Sequence, residues 1–260
     1  ALQSDSHFLE STFAKRLNEL LEQNLIEKED AEYWYAENKR LLTTVVAPAY
    51  DRLADELTLL KGSGVNAQGL AGYEYGREYY QAYLRLITGS YRTIPEIKQM
   101  LSEDFEKNYI SLITLLREEP ALNDKLSTVN AFFPTLPPEK ILAGLQEMIA
   151  EDYPVLPVQT ECTVKYVDKA LEPYSAPAFY MIPPIDDTKE NTIYINQMDT
   201  AEGLSLFTTL AHEGYPGHLY QTVYSGYYQQ STNVSPVRNM LSYGGYIEGW
   251  ATYAELQSYD

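Results

Sequence analysis

The sequence predicts a mainly α protein of α+β class, with a helical N-terminal part, then a small β-sheet, then a last set of helices. Three observations predict this. Apolar residues recur at spacings of three and four through the first half, the period drops to two from Val158, and helical spacing returns near Glu202. The expected organisation is a helical region over 1–154 and, over 155–260, a sheet with the remaining helices, the two packed as one unit.

Taken in order, Phe8, Leu9, Phe13, Leu17, Leu20 and Leu21 form one apolar stripe and predict a helix from about Asp5 to Gln23. A second pattern runs from about Glu27 to Lys61 through Trp34, Leu41, Leu42, Val45, Val46, Tyr50, Leu53 and Leu57, with Pro48 placed to kink or split it. Gly62, Gly64, Gly69 and Gly72 open a loop. In GREYYQAYLRLITG, Tyr79, Tyr80, Tyr83, Leu84 and Ile87 share a side of a helix that Gly89 ends. Thr93 and Glu96 have capping-box spacing and start a helix reaching about Glu119. Another helix is expected from Pro137 to Glu151, because Pro suits a first turn. Val158, Thr160, Cys162, Val164 and Tyr166 then alternate on one strand face. AFYMI at 178–182 and TIYIN at 192–196 flank a polar, hairpin-like DDTKEN. Helical spacing resumes with Leu204, Phe207, Leu210 and Ala211, again after Ser235, and from about Tyr243 onward. No fixed-period repeat supports a solenoid.

Composition narrows the function classes. The 260 residues suffice for one or two domains, and 45% hydrophobic with 22% charged residues excludes a disordered chain. A net charge of −18 and the lack of any basic cluster argue against nucleic acid and anionic membrane surfaces. Cys162 is the only cysteine, which excludes an internal disulfide, and its alternating strand makes it a packing residue. No stretch approaches the roughly 18 apolar residues of a membrane span, and ALQSDSHFLE lacks signal-peptide character. The chain does not begin with Met, so a piece of a longer parent is expected and the missing signal says little about the parent's location.

The chemistry concentrates in TTLAHEGYPGHLYQ, where two of three histidines, His212 and His218, lie six residues apart with Glu213 after the first. In the zinc motif H-E-x-x-H the histidines are four apart and leave one helix face together. Six steps turn through about 600°, equivalent to about 240°, so a regular helix aims the imidazoles apart. Pro216 breaks that regularity: it lacks an N–H, and its ring clashes with the carbonyl of His212. Gly217 can then turn the chain, and a deformed helix bringing His218 back to His212 is expected. A hydrolytic zinc site needs a third protein ligand, for which Glu248 is the candidate. Thr252 and Glu255 share its helix face and are placed to orient a ligand.

Blander readings stand beside these. The 24 tyrosines suit core and boundary positions better than a sugar or peptide platform, and His7 next to Phe8 has no metal-type companion. Glu213 and Glu248 taken singly would be ordinary solvated carboxylates. No G-x-S-x-G elbow and no G-x-x-x-x-G-K loop occurs, so serine hydrolase and phosphate-loop chemistry are set aside.

HEGYPGH, EGWATYAE, GYEYGREYY with TGSYRTIPEI, and FYMIPP before TIYIN resemble the bacterial family called domain of unknown function 885 over most of the chain. That family is similar to a glutamate-ligand branch of the thermolysin-type zinc metallopeptidases, with HExxPGH in place of the shorter motif. The resemblance implies a metallopeptidase-like pair of active-site helices, with His212, His218 and Glu248 as zinc ligands and Glu213 as general base. It also implies that the chain lacks the C-terminal part of the family, which carries a later Pro-Gly-Gln segment. An exported or cell-surface lipoprotein parent is favoured over a cytoplasmic one.

The expected activity is zinc-dependent peptide hydrolysis. TIYIN is expected to act as an edge strand for an extended substrate, and Tyr215, Tyr246 and Arg238 stand as open candidates for the oxyanion. The alternatives are a non-enzymatic helical module that binds a peptide or partner, with structural or no zinc, and a metal hydrolase acting on a non-peptide amide.

Overall fold

The structure is a computed structural model that describes residues 7–132, 135–169, 171–183, 189–198, 202–232 and 234–259. It is mainly helical with one small sheet, as the periodicities predict. Two compact units divide it, Ala1–Glu74 and Tyr75–Asp260.

In the first unit α1 (His7–Glu22) packs with α2 (Lys28–Leu41), and Leu17 and Ala31 are buried. A π-helical turn at Leu42–Val46 joins α2 to α3 (Ala47–Leu60). Pro48 accounts for that turn. It cannot donate to the carbonyl of Thr44, and the wider turn, closed by Ala47 N–H on Leu42 O, relieves the crowding of its ring. The side chain of His7 lies outside the described residues.

In the second unit α4 (Gly76–Thr88) ends at Gly89, whose φ of 63° is the left-handed conformation that glycine adopts without penalty. Then α5 (Ile94–Glu118) opens on a complete capping box: Thr93 N–H donates to Glu96 at 2.6 Å, and Glu96 N–H donates to Thr93 Oγ1 at 3.4 Å. Next come α6 (Ala121–Phe132), not expected from the periodicity, and α7 (Pro138–Met148).

The sheet comprises β1 (Glu161–Tyr166), β2 (Ala178–Met181) and β3 (Glu190–Ile195) in the order β1-β3-β2. β3 runs parallel to β1, with Val164 opposite Ile193, and antiparallel to β2, with Tyr180 opposite Ile193. This corrects the edge-strand expectation. TIYIN lies in the central strand, and both of its backbone edges are already paired within the sheet. Alternation reveals which face of a strand is buried; it carries no information about which neighbours flank it. Residues 184–188 of the connection lie outside the described residues.

The remaining helices are α8 (Leu204–Glu213), α9 (His218–Ser231) and α10 (Gly244–Gln257). The core joins Ile141, Leu142 and Leu145 of α7, Ile193 and Ile195 of β3, Leu206 and Leu210 of α8, and Leu219 and Val223 of α9. Each such side chain contributes roughly 1.5–3 kcal/mol by leaving water. α10 sits against α4 so closely that a Cβ on Gly245 would lie 2.9 Å from the Ile87 carbonyl oxygen. That packing sets the position of the first turn of α10. Among the described residues no helix is long and apolar enough to cross a membrane.

Candidate metal centre

His212 and Glu213 are the last two residues of α8, so their side chains leave the helix about 100° apart. The helix stops there. Gly214–Gly217 are non-helical and α9 begins at His218, so the expected deformed helix is two separate helices. The Tyr215–Pro216 peptide is cis.

Gly217 makes the return possible. A Cβ at that position would lie 1.7 Å from the His212 carbonyl oxygen and 2.4 Å from that of Ala211, so only glycine fits. Its N–H donates to Ala211 O at 3.0 Å, and Tyr220 N–H donates to Gly214 O at 3.2 Å, using backbone groups that the two helix ends leave open. From α10, Trp250 Nε1–H donates to Pro216 O at 2.7 Å. The two imidazoles end with ring centroids 4.8 Å apart and planes at 86°.

Glu248 arrives from the second turn of α10. Its Oε2 lies 3.6 Å from His212 Nε2 and 3.6 Å from His218 Nε2, and one donor atom from each of the three residues falls within 4.8 Å of the others. Glu255 follows seven residues later on the same face of α10, and its Oε2 is 3.1 Å from His212 Nδ1. With Nδ1–H donating to Glu255, the Nε2 lone pair points toward His218 and Glu248. Of the two residues placed to orient a ligand, Glu255 is the one that reaches an imidazole.

Burial shapes the electrostatics. It pushes the His218 pKa down, with Glu248 opposing and His212 adding to the shift, so the neutral imidazole is favoured. It pushes the Glu213 carboxyl up, against the Tyr180 backbone N–H, which donates to Glu213 Oε2 at 2.8 Å. Tyr180 therefore ties the edge strand β2 to the end of α8. A backbone donor leaves no trace in residue type, so sequence reasoning missed it.

A cavity of about 610 Å³ opens beside the three donors, with Glu213, Tyr246 and Arg238 on its walls. Tyr215 is elsewhere. Its ring is buried, and its hydroxyl pairs with Thr160 Oγ1 at 3.2 Å, which removes it from the oxyanion candidates. Burial pushes the Cys162 thiol up to about 11, in keeping with a packing residue rather than a nucleophile.

Fold and site together define an α+β protein in which two imidazoles and a carboxylate that could hold a metal ion meet at the junction of three helices, beside a cavity. The chain belongs to the family described as bacterial protein of unknown function (DUF885), whose model matches residues 2–257. Its fold is similar to a crystal structure described as "the putative lipoprotein from Colwellia psychrerythraea", with a TM-score of 0.74 and 20% identity over 95% of this chain. The chain spans 45% of the length of that protein. Among curated proteins none matches significantly.

Proposed function

We propose that the chain carries the zinc site of a metallopeptidase. The observation behind this reading is the convergence of His212, His218 and Glu248 from three helices onto one point beside an open cavity. The donor set fits the ion. Two imidazole nitrogens and a carboxylate oxygen are common zinc ligands, and tetrahedral ligands at about 2.1 Å stand about 3.4 Å apart, close to the 3.6 Å found here. No fourth His, Cys, Asp or Glu joins them among the described residues, which favours a catalytic over a structural role.

When bound, zinc supplies Lewis acidity, polarising a carbonyl and lowering the pKa of water toward about 7. The protein's residues do the rest. Glu255 holds the His212 ring, and the Tyr180 N–H holds one oxygen of Glu213. The other oxygen, Oε1, takes a proton from the attacking water and passes it to the leaving amine nitrogen. An extended peptide suits the cavity because Phe179, Tyr180 and Ile182, in and just after the edge strand β2, line it. The lipoprotein description of the Colwellia psychrerythraea protein makes an exported parent part of the same reading.

The test is metal content with activity. The purified protein is expected to hold one zinc per chain, lost in His212→Ala or His218→Ala; unchanged zinc in both variants overturns the ligand assignment. Glu213→Gln is expected to keep zinc while peptide cleavage by the full-length parent falls by at least about 100-fold, the lower end of general-base contributions. Undiminished turnover removes Glu213 from the mechanism.

A further inference from the structure

We propose that Arg238 binds the free C-terminal carboxylate of the substrate, so that cleavage is counted from the C-terminal end of a peptide. This rests on the peptidase reading above.

Arg238 belongs to the short 3-10 turn Pro236–Met240, in the connection between α9, which carries His218, and α10, which carries Glu248. It lines the same cavity as those ligands and is the one Lys or Arg among the described residues on its wall. Arg238 forms no ion pair within 4.0 Å among the described residues. Its guanidinium presents a planar fork of N–H donors that matches a carboxylate through two parallel hydrogen bonds, a geometry lysine cannot offer. Leu241, Tyr243 and Ile247 line the same cavity and give it an apolar stretch of wall. A permanent anion attached to an apolar side chain complements these surroundings, and the last residue of a peptide is such a group. The substrate class is therefore peptides with an unblocked C-terminus and an apolar or aromatic final residue.

In the reaction, water adds to the carbonyl carbon upstream of the anchored end and the C–N bond breaks. One product gains a carboxylate. The other leaves with a protonated amine, its original carboxylate still on Arg238.

Binding tests this apart from turnover. Zinc-loaded Glu213→Gln protein is titrated by calorimetry with an N-acetylated tripeptide ending in Phe, as the free acid and as the C-terminal amide. The acid is expected to bind at least about 10-fold tighter, with the preference abolished by adding Arg238→Ala and partly kept by Arg238→Lys, in line with the strength of charge-assisted pairs. Circular dichroism and zinc content check the fold of each variant. Should Arg238→Ala fail to fold, the acid-to-amide ratio in Glu213→Gln and its drop in Arg238→Lys decide. Equal binding of acid and amide, binding of neither, or a preference that survives Arg238→Ala because the metal holds the carboxylate, overturns the proposal. Equal cleavage of acid and amide by the parent overturns it while leaving the peptidase reading intact. An acid preference that depends on Arg238, without cleavage of any peptide, supports the anchor and removes the peptidase reading.

Discussion

Glu255 and Tyr180 govern how the candidate ligands and base are aimed, and they differ in how visible they are in the sequence. Glu255 lies on the Glu248 face at helical spacing, so it was legible as an orienting carboxylate, although the choice between it and Thr252 was not. Tyr180 acts through its backbone N–H, which every non-proline residue possesses, and nothing in its identity announces the contact with Glu213. Glu255→Ala is expected to weaken zinc binding about 10–100-fold, the usual loss when a partner of a ligating imidazole is removed. Competition with a chromogenic chelator measures it. Cys162 provides a second prediction at this scale. With its pKa pushed up to about 11 it is a thiol at pH 8, whereas an unfolded cysteine near 8.5 is partly thiolate. Alkylation by iodoacetamide at pH 8 is expected to run at least about 100-fold slower in the folded protein than in urea. Since folding raises this pKa, the contribution of Cys162 to stability is intact below about 8.5 and declines as pH rises through that value.

Among the elements, the break between α8 and α9 carries the site. Pro216 and Gly217 marked it in the sequence, and the prohibition on a regular helix followed from rotation per residue alone. Whether the helix would bend or end was not legible, because that depends on contacts from another element: Trp250 of α10 anchoring Pro216 O. Gly217→Ala is expected to lower unfolding free energy by at least about 3 kcal/mol and to abolish zinc binding, since its methyl would collide with two carbonyl oxygens. Urea denaturation with zinc analysis checks both. Trp250→Phe keeps the ring packing but leaves the Pro216 carbonyl without its donor, at an expected cost of about 1–3 kcal/mol by the same method. β3 shows the opposite outcome. Its residues predicted a strand correctly, yet its central place depends on β1 and β2 pairing on either side.

For the whole molecule, the second unit joins residues far apart in the chain into one core beneath the site. Leu145 of α7 is 2% exposed within that core, and Leu145→Ala is expected to cost about 2–5 kcal/mol by calorimetry. Zinc at 100 times its Kd is expected to stabilise the protein by about 2.7 kcal/mol, an increment that EDTA removes and that His218→Ala lacks. By itself the sequence determined the class of fold, most helices and strands, the cap at Thr93, the stop at Gly89 and a loss of regular helix between His212 and His218. These follow from the period of apolar residues and the backbone limits of proline and glycine, which act over a few neighbours. Only the tertiary structure decided that Glu248 meets both imidazoles, that Tyr215 turns away, that Arg238 shares the cavity and that β3 has no free edge. Those outcomes depend on how α8, α9, α10 and the sheet pack, and such packing is set by side chains distant in sequence that local patterns do not connect.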